Sequence, residues 1–82
     1  MKIKYRKQAV KYIETLDKPT KQRLRDGIEG LTKNPPVGDI RPLKGDTIES
    51  SRLRIGKYRI IFRRENDTVY IDKVDSRGDI YK

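Results

Sequence analysis

The chain has 82 residues, 40% of them charged, and a formal net charge of +9. It contains neither cysteine nor histidine, which excludes disulfides, zinc-finger sites and His-based acid–base or metal chemistry. So short a chain makes one domain, residues 1–82, with a small core and no room for an internal cofactor cavity.

The charge points to an anionic partner: nucleic acid first, an acidic protein second, an anionic membrane surface a distant third. No long apolar run or small-residue cleavage site stands at the N-terminus, so no membrane span or signal peptide is expected, and the expected compartment is the cytoplasm. Residues 2–6 alternate, with Ile3 and Tyr5 on one side, and read as a first strand. Residues 7–17 space Ala9, Val10, Ile13 and Leu16 as one face of an amphipathic helix. Lys18-Pro19 ends it, and Pro19 fits the first turn of a second helix reaching about Lys33, with Leu24, Ile28 and Leu31 on one face. Gly27 and Gly30 weaken that helix, so it depends on tertiary packing. Asn34-Pro35-Pro36-Val37-Gly38 then opens an irregular connection that runs to Leu43-Lys44-Gly45.

Residues 51–64 form a basic hairpin about Gly56-Lys57, with apolar and charged residues alternating on both arms. Gly at the first central position suits a type II′ turn, which pairs Ile55 with Tyr58, Leu53 with Ile60 and Ser51 with Phe62. The other face then sets Arg54 opposite Arg59 and Arg52 opposite Ile61, with Lys57 and Arg63 nearby. Like charges across a strand pair destabilise it, here by about 1–3 kcal/mol at about 5 Å, so an outside anion, RNA, is expected to offset them. Residues 65–68 are a turn and residues 69–74 a further strand, whose faces a one-residue change in the turn would exchange. Residues 75–78 form a loop and residues 79–82 a short final strand. The fold class is α+β in the order β-α-α-β-β-β, with a two-helix hairpin packed on one face of a mainly antiparallel twisted sheet and arginines on the other.

Arg52, Arg54 and Arg59 share that face, and Arg77 follows the next strand. Guanidinium forks fit phosphate oxygens, and forks raised on strands make a fixed anion site; the alternative is a solvated strand face. Tyr81 would donate to a phosphate, stack on a base, or simply pack. Lys44, Lys57 and Arg63 are ordinary surface basics or phosphate-steering residues. Glu49, Asp72, Asp75 and Asp79 are the acids available as a base, and no pairing singles one out.

In the run Leu43-Lys44-Gly45, Arg52-Leu53-Arg54-Ile55-Gly56-Lys57-Tyr58-Arg59-Ile60-Ile61-Phe62 and Asp75-Ser76-Arg77-Gly78-Asp79-Ile80-Tyr81, the chain resembles the RelE/ParE superfamily of toxins from bacterial toxin–antitoxin systems. The resemblance implies an endoribonuclease that cuts mRNA in the ribosomal A site and is neutralised by a cognate antitoxin. It implies catalytic roles for Arg52, Arg54, Arg59, Arg77 and Tyr81, with attack by the ribose 2′-hydroxyl leaving a 2′,3′-cyclic phosphate. Neither a metal nor a small-molecule cofactor is implied, and the antitoxin is expected to be acidic. Two other classes remain open: a ParE-like inhibitor of DNA gyrase without nuclease activity, and a basic RNA- or protein-binding module.

Overall fold

The computed structural model describes residues 1–42 and 50–76, and in them every core side chain meets on one face of a single sheet. The strands are β1 (Lys2–Tyr5), β2 (Asp39–Pro42), β3 (Ser51–Ile55), β4 (Tyr58–Glu65) and β5 (Thr68–Ser76), in the spatial order β1-β5-β4-β3-β2. β1 runs parallel to β5, and the other pairs are antiparallel. Helices α1 (Lys7–Glu14) and α2 (Lys18–Glu29), with a 3-10 turn over Gly30–Thr32, lie between β1 and β2 in the chain. The expected order therefore holds, with β2 added within the stretch read as irregular. The expected final strand at 79–82 lies outside the described residues. Among the described residues no helix is long and apolar enough to cross a membrane.

The first helix stops earlier than its apolar spacing suggests. Thr15 N–H and its hydroxyl both donate to the Tyr12 carbonyl, at 3.1 and 2.6 Å, and close the last turn. Pro19 then sits in the first turn of α2, as the sequence predicts, with Asp17 at the N-cap position but making no side-chain cap hydrogen bond. Hydrogen bonding from the Thr20 hydroxyl holds the Asp17 carboxyl below its ordinary pKa. Ala9, Ile13, Leu24, Ile28 and Leu31 are buried against Leu53, Ile60, Phe62, Val69, Ile71 and Val74. Val10, expected among them, is instead 39% exposed at the rim. Transfer of such apolar surface out of water is the main force joining helices to sheet.

The central hairpin has the predicted register throughout, from Ile55 opposite Tyr58 to Ser51 opposite Phe62. Gly56 has φ +58°, as a type II′ turn requires at its first central position. The next hairpin turns at Asn66-Asp67, with Asn66 also left-handed at φ +54°. Its ladder slips by one residue: Phe62 faces Ile71, but Ile61 faces Lys73. Asp72 is the extra residue of this bulge, and beyond it Val74 returns to the core opposite Ile60.

The two helical glycines serve close packing. A methyl built on Gly30 would stand 2.8 Å from the Val37 carbonyl oxygen, where the chain folds back and Val37 N–H donates to the Gly30 carbonyl. A methyl on Gly27 would collide only with the end of the Ile55 side chain, which can rotate. Gly30→Ala is therefore expected to cost about 1–3 kcal/mol in urea unfolding, the usual range for overpacking. Gly27→Ala is expected to cost less, because a gain of about 1 kcal/mol in helix propensity opposes the collision.

Candidate functional site

Because Leu53, Ile60 and Phe62 turn towards the helices, alternation sends Arg52, Arg54, Arg59, Ile61 and Arg63 to the opposite face. Bare of helices among the described residues, that face is organised in rows across the strands. The first row runs Asp39, Arg54, Arg59 and Asp75 from β2 to β5. A second, two residues along each strand, runs Arg41, Arg52, Ile61 and Lys73. A third sets Arg63 beside Tyr70 and Lys4.

Charge in the first row is balanced within the protein. Arg59 holds Asp75 in a two-pronged pair, Nε donating to Oδ1 at 3.1 Å and Nη2 to Oδ2 at 3.3 Å. On the other flank Arg54 Nε donates to Asp39 Oδ2 at 3.3 Å. The expectation that an outside anion must offset the Arg54–Arg59 repulsion is thus corrected: two carboxylates on neighbouring strands do so. The two pairs differ in strength. Arg54 and Asp39 are half exposed, so solvent screens them, whereas the Asp75 side chain is only 16% exposed and the fork fixes the geometry.

The third row is anchored by the bulge. Asp72 accepts from Arg6 Nε at 2.9 Å and from Arg63 Nε at 3.1 Å, while Arg63 Nη1 reaches Glu65 at 2.8 Å. The Arg63 guanidinium also lies over the Tyr70 ring, 4.3 Å from its centroid. Partial desolvation works against the Arg63 charge, but Asp72 and Glu65 outweigh it and raise its pKa above the ordinary value.

Of the residues singled out in the sequence, Arg52, Arg54, Arg59 and Arg63 stand on this one face. Lys57, expected beside them, leans the other way: its Nζ sits 5.4 Å from the centroid of Tyr58, a helix-side ring that meets Tyr12 edge-on. As a residue of the turn tip it escapes the alternation of the arms. Lys44, Arg77 and Tyr81 lie outside the described residues. Sequence reasoning missed Asp39 as a partner and left Asp75 and Asp72 unassigned, because their pairings depend on β2 and on the bulge. Among the described residues no three His, Cys, Asp or Glu side chains converge as a metal site. What the face offers is three guanidiniums fixed by carboxylates, on Arg54, Arg59 and Arg63, beside Arg52, which forms no salt bridge among the described residues. Donors fixed in this way can stabilise charge that develops on a phosphate.

Comparison with solved structures gives the same architecture. The chain superposes on the archaeal RelE–RelB complex from Pyrococcus horikoshii with a TM-score of 0.76 at 27% identity, covering 94% of each chain. The RelB–RelE antitoxin–toxin complex from Methanococcus jannaschii gives 0.76 at 26% identity, covering 95% of this chain and 94% of that one. The toxin–antitoxin complex RelBE2 from Mycobacterium tuberculosis shares the fold, with a TM-score of 0.75 at 22% identity over 93% and 96% of the two chains. A search of curated proteins finds no match. The profile of the family described as the ParE toxin of type II toxin–antitoxin systems, parDE, matches residues 3–81. With that match running through both helices and the arginine-bearing strands, the chain belongs to this toxin family, within the RelE/ParE superfamily.

Proposed function

We propose that this toxin is a ribosome-dependent mRNA endoribonuclease that cuts by attack of a ribose 2′-hydroxyl on the adjacent phosphate. The observation that carries the reading is the convergence of Arg52, Arg54 and Arg59 on one sheet face, helix-free among the described residues, with Arg59 fixed by Asp75. In this reading Arg59 stabilises the charge that grows on the phosphate, and Arg52 and Arg54 bind and polarise it. Arg77 and Tyr81 complete the set, Arg77 as a further phosphate donor and Tyr81 through its hydroxyl or ring. Lys44 and Arg63 steer the RNA backbone, whereas Lys57, turned towards the Tyr58 ring, is left out of the interface. Without histidine, positioning and electrostatics carry most of the rate, so the ribosome's placement of the mRNA matters.

The partner in this reading is a cognate acidic antitoxin, as the RelE-like neighbours are solved with RelB. It covers apolar surface such as the groove of about 200 Å³ lined by Tyr5, Val10, Ile13, Glu14 and Arg25, and places acidic side chains near the arginines. Inhibition of DNA gyrase is the second reading, favoured by the ParE description of the matching family. The presence of both Arg77 and Tyr81 speaks for the nuclease, since the gyrase-directed branch generally lacks these late residues.

Mapping of new mRNA 5′ ends on translating ribosomes separates the two. Wild type is expected to create ends at the A site, and Arg59→Ala to reduce them about 10²–10³-fold, the usual cost of a transition-state charge donor. The fold is expected to survive, since Arg59 lies on the solvent side of the sheet. Supercoiling inhibition by wild type and Arg59→Ala alike, with no new ends, would establish the gyrase reading instead.

A further inference from the structure

The second row of the sheet face is charged differently from the first. Asp39, Arg54, Arg59 and Asp75 hold two cations and two anions, whereas Arg41, Arg52, Ile61 and Lys73 hold three cations and no carboxylate. Arg41 and Arg52 are direct cross-strand partners, and neither forms a salt bridge among the described residues. Lys73 reaches Asp75 only at 3.9 Å, and that carboxylate already gives both oxygens to Arg59. The Lys73 side chain is 59% exposed, and Ile61 is the one apolar side chain of the row. Opposed like charges destabilise a strand pair, and within this row nothing among the described residues offsets them.

We infer that this row is a phosphate track for single-stranded RNA, in which Arg41 and Arg52 clamp one backbone phosphate and Lys73 holds a neighbouring one. The inference rests on the RNA-directed reading above and adds Arg41 and Lys73 to the residues that read the substrate. Adjacent strands stand about 4.8 Å apart, so the forks of Arg41 and Arg52 converge on a single anion. Lys73 is two strands from Arg52, about 10 Å away, too far to share that anion and suitably placed for another. Ile61 between them offers apolar support to the intervening sugar. A polyanion fits this row better than an acidic protein helix, which would need several apolar anchors beside the charges.

The test is binding of a short fluorescent oligouridylate, without ribosomes, as a function of potassium chloride concentration. Arg41→Ala and Lys73→Ala are each expected to weaken binding several-fold and to lower the slope of log K against log salt by about 0.7, the value for one phosphate contact on a single strand. Arg41→Lys is expected to keep the slope. Thermal unfolding is a check on integrity: Arg41→Ala removes a repulsion and is expected to leave the midpoint unchanged or higher. Unchanged slopes in both Ala variants, or no wild-type binding at low salt, would overturn the track. So would loss of affinity for an acidic antitoxin with oligouridylate binding intact, which would assign the row to the protein partner. The outcome is separable from the nuclease reading: slopes that fall as expected in a protein that makes no new mRNA ends uphold the track and end the nuclease proposal.

Discussion

One extra residue in β5 sets both the core and the charged face. The Asn66-Asp67 turn fixes the register at one end of the hairpin, with Glu65 opposite Thr68 and Phe62 opposite Ile71. Continued without interruption, that register would put Val74 opposite Arg59 and turn it out to solvent. The bulge at Asp72 slips the ladder by one, so Val74 packs opposite Ile60 and Asp75 arrives beside Arg59. Burial of an apolar side chain and pairing of a guanidinium are thus satisfied by the same irregularity, and the unpaired Asp72 becomes the shared acceptor of Arg6 and Arg63.

The resulting face is strongly basic yet locally ordered. Carboxylates on the flanking strands hold Arg54 and Arg59 in place, and the Arg63 fork is held by two carboxylates and a tyrosine ring. A guanidinium already fixed by its own protein loses less freedom when it meets a phosphate, which is the sense in which the site is preorganised. The row centred on Arg52 lacks such internal anions among the described residues, and in the track proposed above its charge is kept for a ligand. In the nuclease reading, Arg59, held by its two-pronged pair with Asp75, would stabilise the transition state, while Arg52 and Arg54 bind and polarise the phosphate.

The features legible in the sequence are those governed by local rules. Gly56-Lys57 set the turn, the turn set the register, and the register set Arg52, Arg54 and Arg59 on one face. Helical spacing located Ala9, Ile13, Leu24, Ile28 and Leu31 in the core, but not the exposure of Val10, because the face of α1 that meets the sheet is centred on Ala9 and Ile13 and leaves Val10 at its edge. Strand β2 was not legible: Asp39-Ile40-Arg41-Pro42 has one inward apolar residue and ends on a proline, which an edge strand tolerates but which carries no alternation signal. The bulge is set by competition between the inward demands of Ile71 and Val74, three residues apart, and only the folded core decides it. Asp39 and Asp75 therefore became visible as partners of Arg54 and Arg59 only in three dimensions.

The central claim is that the slip in β5 makes Asp75 the residue that positions Arg59 for work on RNA. A double-mutant cycle on single-turnover mRNA cleavage with programmed ribosomes tests it, comparing Asp75→Ala in the wild-type and Arg59→Lys backgrounds. The account predicts a clear loss of rate from Asp75→Ala when Arg59 is present and little further loss with Arg59→Lys, whose ammonium cannot form the two-pronged pair. Equal fold losses in both backgrounds would show that Asp75 acts independently of Arg59 and would contradict it.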